Sequence, residues 1–321
     1  MIVVTGAAGF IASCLVKDLL KSGHEEIVVV DDFTKEEKER NVPNNDGLIP
    51  IDRTLFEEWL PVNGQNITAI YHLGARTNTT EMDRSVLNEL NTEYTQMVWQ
   101  NCVRFSIPLV YASSAATYGN GEHGFNDDHE NLENLKPLNP YGDSKHEFDQ
   151  WALRQEESPP YWFGLKFFNV YGPGEYHKGR MASVIFHAFN QITQTKKMKL
   201  FRSHNENYAD GAQQRDFIHV MDVVTVCKWI MENKPASGLY NLGTGKARTF
   251  LDLTNAVFNS LDLKADIEFI DTPEDIRANY QYFTEANMSK LLQAGYEKSF
   301  RSLEEGISDY VGNYLKSDSV Y

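Results

Sequence analysis

Tyr141 and Lys145 stand one helical turn apart, and Ser114 lies upstream of both in Tyr111-Ala112-Ser113-Ser114-Ala115-Ala116-Thr117-Tyr118-Gly119. These residue types can move a proton. A phenol with a free pKa near ~10 is a poor base at neutral pH, and a nearby ammonium favours its ionised form. Positions i and i+4 of a helix share a face, which brings the lysine beside the phenol. A serine hydroxyl can hydrogen-bond the same substrate oxygen. Together the three can take a proton from an alcohol while its carbon gives up hydride. That chemistry needs a hydride acceptor, and the chain begins with a place for one.

Ile2-Val3-Val4-Thr5 reads as a buried strand. Gly6-Ala7-Ala8-Gly9-Phe10-Ile11-Ala12 follows at once, and Leu15, Val16, Leu19 and Leu20 then recur at helical spacing. Gly6 permits the tight turn. Gly9 lets the backbone approach a pyrophosphate at the helix N-terminus, where free N–H groups and the helix dipole favour anions. Ala12 sits where a third glycine often lies. The next strand, Ile27-Val28-Val29-Val30, ends at Asp31. An acid there suits the ribose hydroxyls of an adenine dinucleotide, so a nicotinamide dinucleotide is the expected cofactor.

The elements that must position these residues alternate through the first half of the chain. Strands are expected at 67–73, 108–113 and 162–169, and helices at 84–105 and 140–155. Segment 32–52 reads as a polar loop beside the cofactor. The alternation predicts an α/β fold: a Rossmann-type doubly wound parallel sheet. After Asn169 the pattern weakens, and a smaller, mostly helical C-terminal substrate lobe is expected. The expected division is 1–170 for the NAD(P)-binding domain, with 215–242 returning to it, and 171–214 with 243–321 for the lobe.

The chain has 321 residues, 41% of them hydrophobic, and a net charge of −15. The acidic balance argues against nucleic acid, which needs a basic footprint. No apolar run approaches the ~20 residues of a membrane helix, and no signal peptide is expected. Cys14, Cys102 and Cys227 are too few and too dispersed for a disulfide framework. They read as helix-core thiols in a reducing cytoplasm. The nine histidines show no metal-ligand spacing, and no metal is expected.

With these residues in place, the chain resembles the extended short-chain dehydrogenase/reductase superfamily over nearly its whole length. Phe167-Phe168-Asn169-Val170-Tyr171-Gly172-Pro173, Lys199-Leu200-Phe201, Arg215-Asp216-Phe217, Asn241-Leu242-Gly243-Thr244-Gly245 and Tyr280-Gln281 continue the match. His177-Lys178-Gly179-Arg180-Met181-Ala182-Ser183-Val184 is the most specific stretch. It is similar to the family of ADP-L-glycero-D-manno-heptose 6-epimerases, which serve lipopolysaccharide core synthesis.

The resemblance implies transient oxidation of the C6″ alcohol of an ADP-heptose to a ketone, then return of hydride to the opposite face. The bound cofactor, NADP in preference to NAD, is recycled. Implied catalytic residues are Ser114, Tyr141, Lys145 and Lys178, with Tyr141 and Lys178 as two bases for two sugar orientations. Implied cofactor contacts are Gly6, Gly9, Phe10, Ile11, Asp31, Asp32, Lys38, Arg53, Leu73, Gly74, Ala75, Asn91 and Val170, besides Tyr141, Lys145 and Lys178. Asp31 and Asp32 favour NAD; Lys38 and Arg53 match basic positions that can neutralise a 2′-phosphate.

On the substrate side the match implies Ser114, Asn169, Arg180, His187, Phe201, Arg202, Ser203, His204, Arg215 and Tyr280. Arg180 departs from the family's usual serine, and the loop 202–214 is longer than expected. The partners implied are a nucleotide-sugar and further copies of the chain, with no nucleic acid and no membrane. A 4-epimerase of another nucleotide-hexose and a non-catalytic NAD(P)-binding regulator remain as alternatives, as does an oxidoreductase that releases reduced cofactor.

Overall fold

The computed structural model describes residues 1–277 and 280–321. In chain order the first elements are β1 (Ile2–Thr5), α1 (Phe10–Lys21), β2 (Ile27–Asp31), β3 (Leu48–Asp52), α2 (Phe56–Asn63) and β4 (Ala69–His72). A long helical stretch follows: α3 (Arg84–Leu87), a π-wound segment (Asn88–Glu93) and α4 (Tyr94–Phe105). Next come β5 (Leu109–Ser114), α5 (Pro140–Leu153), β6 (Trp162–Phe167), β7 (Asn169–Tyr171), α6 (Val184–Thr195), β8 (Met198–Phe201) and β9 (Gln214–His219). The chain continues through α7 (Val220–Asn233), β10 (Gly238–Leu242), β11 (Ala247–Thr249), α8 (Phe250–Ser260), β12 (Ile267–Ile270), α9 (Glu274–Arg277), α10 (Ser289–Gln293) and α11 (Leu303–Asp309).

Among the described residues, seven strands form a main sheet in the order β10-β6-β5-β4-β1-β2-β3. Its pairings are parallel. The order reverses between β1 and β4, and a ligand crevice opens over the strand ends at such a switch point. Val3, Val4, Ile27, Val28, Val29 and Val30 are buried, which explains their unbroken apolar runs.

Segment 32–52 is not all loop, because its end forms the edge strand β3, with Pro50 in it. Proline cannot donate to the ladder and is tolerated here because β3 is at the sheet edge, and its half-exposed, polar-flanked sequence hid it from a search for apolar runs. Of the segment expected to return to the main sheet, β10 does so. β9 instead pairs with β7 and antiparallel β11 in a separate three-stranded sheet. A two-stranded sheet, β12-β8, flanks it. A second apolar cluster packs Tyr171, Ile185, Ile192, Phe217, Val257, Phe258, Ile307 and Tyr310 around these small sheets.

Helix α5, which carries Tyr141 and Lys145, has a defined start. The Asn139 side chain accepts from the Gly142 N–H, and Pro140 occupies the first turn. Cys14, Cys102 and Cys227 are buried and unpaired, on α1, α4 and α7. Among the described residues, no helix is long and apolar enough to cross a membrane.

Candidate active site

The turn between β1 and α1 is a close-packed cradle. Gly6 has φ +68°, and a Cβ there would meet Gly74 Cα at 2.6 Å. A Cβ on Gly9 would meet the Gly6 carbonyl oxygen at 2.9 Å. Helix α1 has no side-chain cap and no acid in its first turn. Its free N–H groups are therefore unopposed and suited to a phosphate. Backbone approach, an open helix start and an acid at the end of β2 fit a dinucleotide.

A cleft of about 780 Å³ opens here. Its lining includes Gly6, Gly9, Phe10, Ile11, Asp31, Asp32, Lys38, Arg53, Leu73, Gly74 and Ala75. His177, Lys178 and Arg180 close its other side. Arg180, expected among substrate contacts, thus faces the same cleft as the glycine turn.

The far corner is crowded with charge. Asp31 accepts from the Ala8 N–H at 2.9 Å and the Asp32 N–H at 2.7 Å, and Lys38 Nζ sits 3.0 Å from its carboxylate. Asp32 is engaged by the Thr34 hydroxyl and N–H, which hold its carboxyl below the usual range. Lys35 and Arg53 line the same corner.

Asn91, expected among the cofactor contacts, lies behind the cleft lining. It is buried in the π-wound segment, and its Oδ1 accepts from the Arg76 N–H at 2.8 Å. Its Nδ2 donates to the Arg76 carbonyl at 3.1 Å and to Ser144 Oγ at 2.9 Å. Its amide is spent fastening the 74–76 turn to α5, so it shapes the cleft without lining it. Helix periodicity continues through this segment, so the π turn leaves no mark in the pattern of residues.

Ser114 ends β5, and Tyr141 and Lys145 share a face of α5; the cleft lining stops short of all three. Burial pushes the Tyr141 phenol up, the Ser114 hydroxyl pulls it back down, and the Asp149 carboxylate pushes it up again. The lowering expected from Lys145 is not among these effects. Burial lowers the Lys145 ammonium to about 8, with Asp149 opposing. His72 is locked between Thr5 Oγ1 (2.7 Å) and Thr95 Oγ1 (3.0 Å). Burial first and then Lys145 lower its pKa to about 3, so it stays neutral.

Lys178 projects over the Phe10 ring, 5.4 Å from its centroid. Burial lowers its pKa, and Glu175 raises it. Glu175 is fully buried and accepts from the Ser183 hydroxyl at 2.7 Å. It fixes the segment that carries Lys178, a role the sequence reading missed. Gly179, beside Lys178, has φ +53°.

The expected substrate residues divide. Arg215 is buried, with its guanidinium 5.7 Å from the Phe250 centroid and 5.8 Å from that of Tyr280. Phe201 meets Tyr280 edge-on at 6.2 Å. These three gather into one aromatic and cationic wall. The long loop adds to it, because Tyr208 packs on Tyr282 at 5.1 Å and Ser203 N–H is held by Asp210. The His204 N–H donates to the Tyr282 hydroxyl at 2.8 Å. Arg202 turns away: it donates to the Phe269 carbonyl at 3.1 Å and lies 3.8 Å from Asp271. His187 is exposed on α6 beside Phe186. Asn169 is exposed at the start of β7, and Val170 after it is half-buried.

A parallel sheet with a glycine cradle at its switch point, and a Ser-Tyr-Lys set at the next strand end, defines a nucleotide-dependent epimerase or dehydratase scaffold. The NAD dependent epimerase/dehydratase family model matches residues 2–243, and the chain belongs to that family. Within it the chain falls among the ADP-L-glycero-D-manno-heptose-6-epimerases. It is 47% identical to that enzyme of Fusobacterium nucleatum, over 100% of both chains. It is also 47% identical to the Nitratidesulfovibrio vulgaris enzyme, over 98% of both. The crystal structure of Helicobacter pylori ADP-L-glycero-D-manno-heptose-6-epimerase superposes with a TM-score of 0.81 at 26% identity, covering 97% of this chain and 95% of that one.

Proposed function

We propose that the protein interconverts ADP-D-glycero-D-manno-heptose and ADP-L-glycero-D-manno-heptose. The observation that carries this reading is the set of Ser114 at the end of β5 with Tyr141 and Lys145 on one face of α5, in a chain 47% identical to such enzymes over its full length. That full-length likeness weighs against a 4-epimerase of another nucleotide-hexose. The retained tyrosine, lysine and serine weigh against a non-catalytic regulator.

The bound nicotinamide supplies a hydride acceptor and donor. The chain's residues do the rest. Ser114 donates a hydrogen bond to the reacting oxygen. Tyr141 takes or returns that oxygen's proton. Lys145, with its ammonium buried on the same helix face, holds the cofactor ribose and favours the phenolate once both groups are bridged by ligand. Lys178 serves the opposite sugar orientation; its lowered pKa raises the share of free amine at neutral pH. Arg215 is a buried cation on the substrate side and suits the diphosphate. Incubation with either heptose epimer tests the reading.

The cofactor is proposed to be NADP. Lys38 neutralises Asp31, which removes much of the carboxylate's repulsion from the ribose corner. Arg53 is left facing that corner, and Lys35 lies 3.8 Å from the Asp32 carboxylate. Titrations of cofactor-free protein are expected to give at least ~10-fold tighter binding of NADP, about 1.4 kcal/mol. Arg53→Ala is expected to erase the preference. Tighter binding of NAD would mean that Asp32 outweighs the cations.

Arg180 faces the cofactor cleft. Arg180→Ser is therefore expected to weaken cofactor binding about tenfold, the loss of one charge-assisted contact, with the preferred sugar unchanged. Calorimetry with cofactor, followed by a panel of nucleotide-sugars, reads both. Unaltered affinity would put the guanidinium in solvent, and a changed sugar preference would mean that Arg180 reads the sugar.

A further inference from the structure

Lys166 on β6 is buried at 0% exposure and has no part in the chemistry above. Its Nζ lies 2.6 Å from Asp149 Oδ2 and donates to Thr117 Oγ1 at 2.8 Å. Ser113 Oγ donates to the same carboxylate oxygen at 2.7 Å, and the Tyr111 hydroxyl to the other at 3.0 Å. Thr117 Oγ1 donates onward to the Ser114 carbonyl at 2.8 Å. One ion pair thus joins β5, β6, the turn after Ser114, and α5.

Asp149 lies one turn beyond Lys145 and two beyond Tyr141, so the three share a helix face. Taking two charges out of water costs several kcal/mol per ion, and well-packed apolar replacements of such pairs are often neutral or stabilising. Stability alone is therefore a weak reason for this pair.

We propose that Lys166 and Asp149 form a positioning unit for Tyr141. Asp149 ties the helix face bearing Tyr141 and Lys145 to the strand bearing Ser114, and Lys166 offsets part of the carboxylate's charge behind the reacting groups. The proposal rests on the reading of Tyr141 as proton-transfer group. Tyr118 lies with its ring centroid 5.2 Å from Lys166 Nζ; burial first, then the Asp127 and Asp149 carboxylates, hold its phenol up, and burial with Asp149 does the same to Tyr111. Lys145 shares the helix face, Ser114 comes from β5, and His72 from β4 faces Lys145 and is neutral. Asp143 is paired with Arg84 at 2.6 Å on the solvent side. His129 and His146 feel the pair from outside, and burial lowers both.

The signs are distinctive. Removing Lys166 leaves a carboxylate that opposes a phenolate; removing Asp149 leaves an ammonium that favours one. The pH profile of epimerisation should be measured for the holoenzyme and for Lys166→Met, Asp149→Asn and the double variant. The limb reporting Tyr141 ionisation is expected to rise by about half a pH unit or more in Lys166→Met and to fall in Asp149→Asn. In the double variant it should return close to its original place, with kcat still reduced about tenfold because the helix face has lost its anchor.

Shifts of the same sign in both single variants, or none in folded active ones, would overturn the proposal. Should a single variant not fold, the double decides: an unmoved limb with reduced kcat supports the unit, and a displaced limb or unreduced kcat overturns it. Tyr141→Phe run alongside keeps the two readings apart. Full activity there would remove the tyrosine's role, whatever the ion pair does.

Discussion

Tyr141→Phe is expected to lower turnover at least ~100-fold while cofactor stays bound. A positioned proton-transfer group contributes typically ~10²–10⁴-fold, and the substitution removes only the hydroxyl. Fold and cofactor cleft should survive, because Tyr141 does not line that cleft. Burial pushes the Tyr141 phenol up, and the Ser114 hydroxyl only partly offsets this. Rates near those of the unaltered protein, with intact folding, would remove Tyr141 as an essential base.

Lys178→Met is expected to be comparably damaging, but in a different half of the reaction. Lys178 lies across the cleft from the glycine turn, over Phe10, on a segment pinned by the buried Glu175. If Tyr141 and Lys178 serve the two sugar orientations, each single variant should keep part of the reaction on one epimer. Single-turnover oxidation and reduction of model aldehydes separate the halves. Equal loss of both halves in both variants would leave a single base, with Lys178 holding phosphate.

The groups proposed to meet ligand were mostly legible because local patterns force them. A glycine turn after an apolar strand leaves few alternatives to Gly6 and Gly9, and i, i+4 spacing puts Tyr141 and Lys145 on one face. The groups behind them were not legible. Asp149, Lys166, Glu175 and Asp216 are charged residues that a sequence reading assigns to solvent, yet all four are buried. Their partners come from elements distant in sequence, as when Asp216 accepts from the Thr244, Gly245 and Ala286 N–H groups. Only the sheet order creates such sites. Asn91 and Arg202 show the converse: pattern led to the right neighbourhood, but side-chain direction decided what each residue holds.

The long loop makes the same point. Its length read as a departure from the family pattern. Folding places Tyr208 against Tyr282 and the His204 N–H on the Tyr282 hydroxyl, so the extra residues thicken the wall beside Arg215. Aromatic pairing across a loop has no period in sequence and could not be read from it.

The central claim is tested most directly by giving the purified protein each ADP-heptose epimer separately and following their ratio, with absorbance of reduced cofactor recorded alongside. The account predicts that both reactions converge on one mixture of the two epimers with no net accumulation of NADPH. Failure of either epimer to convert, or steady release of reduced cofactor with substrate consumed, would contradict it.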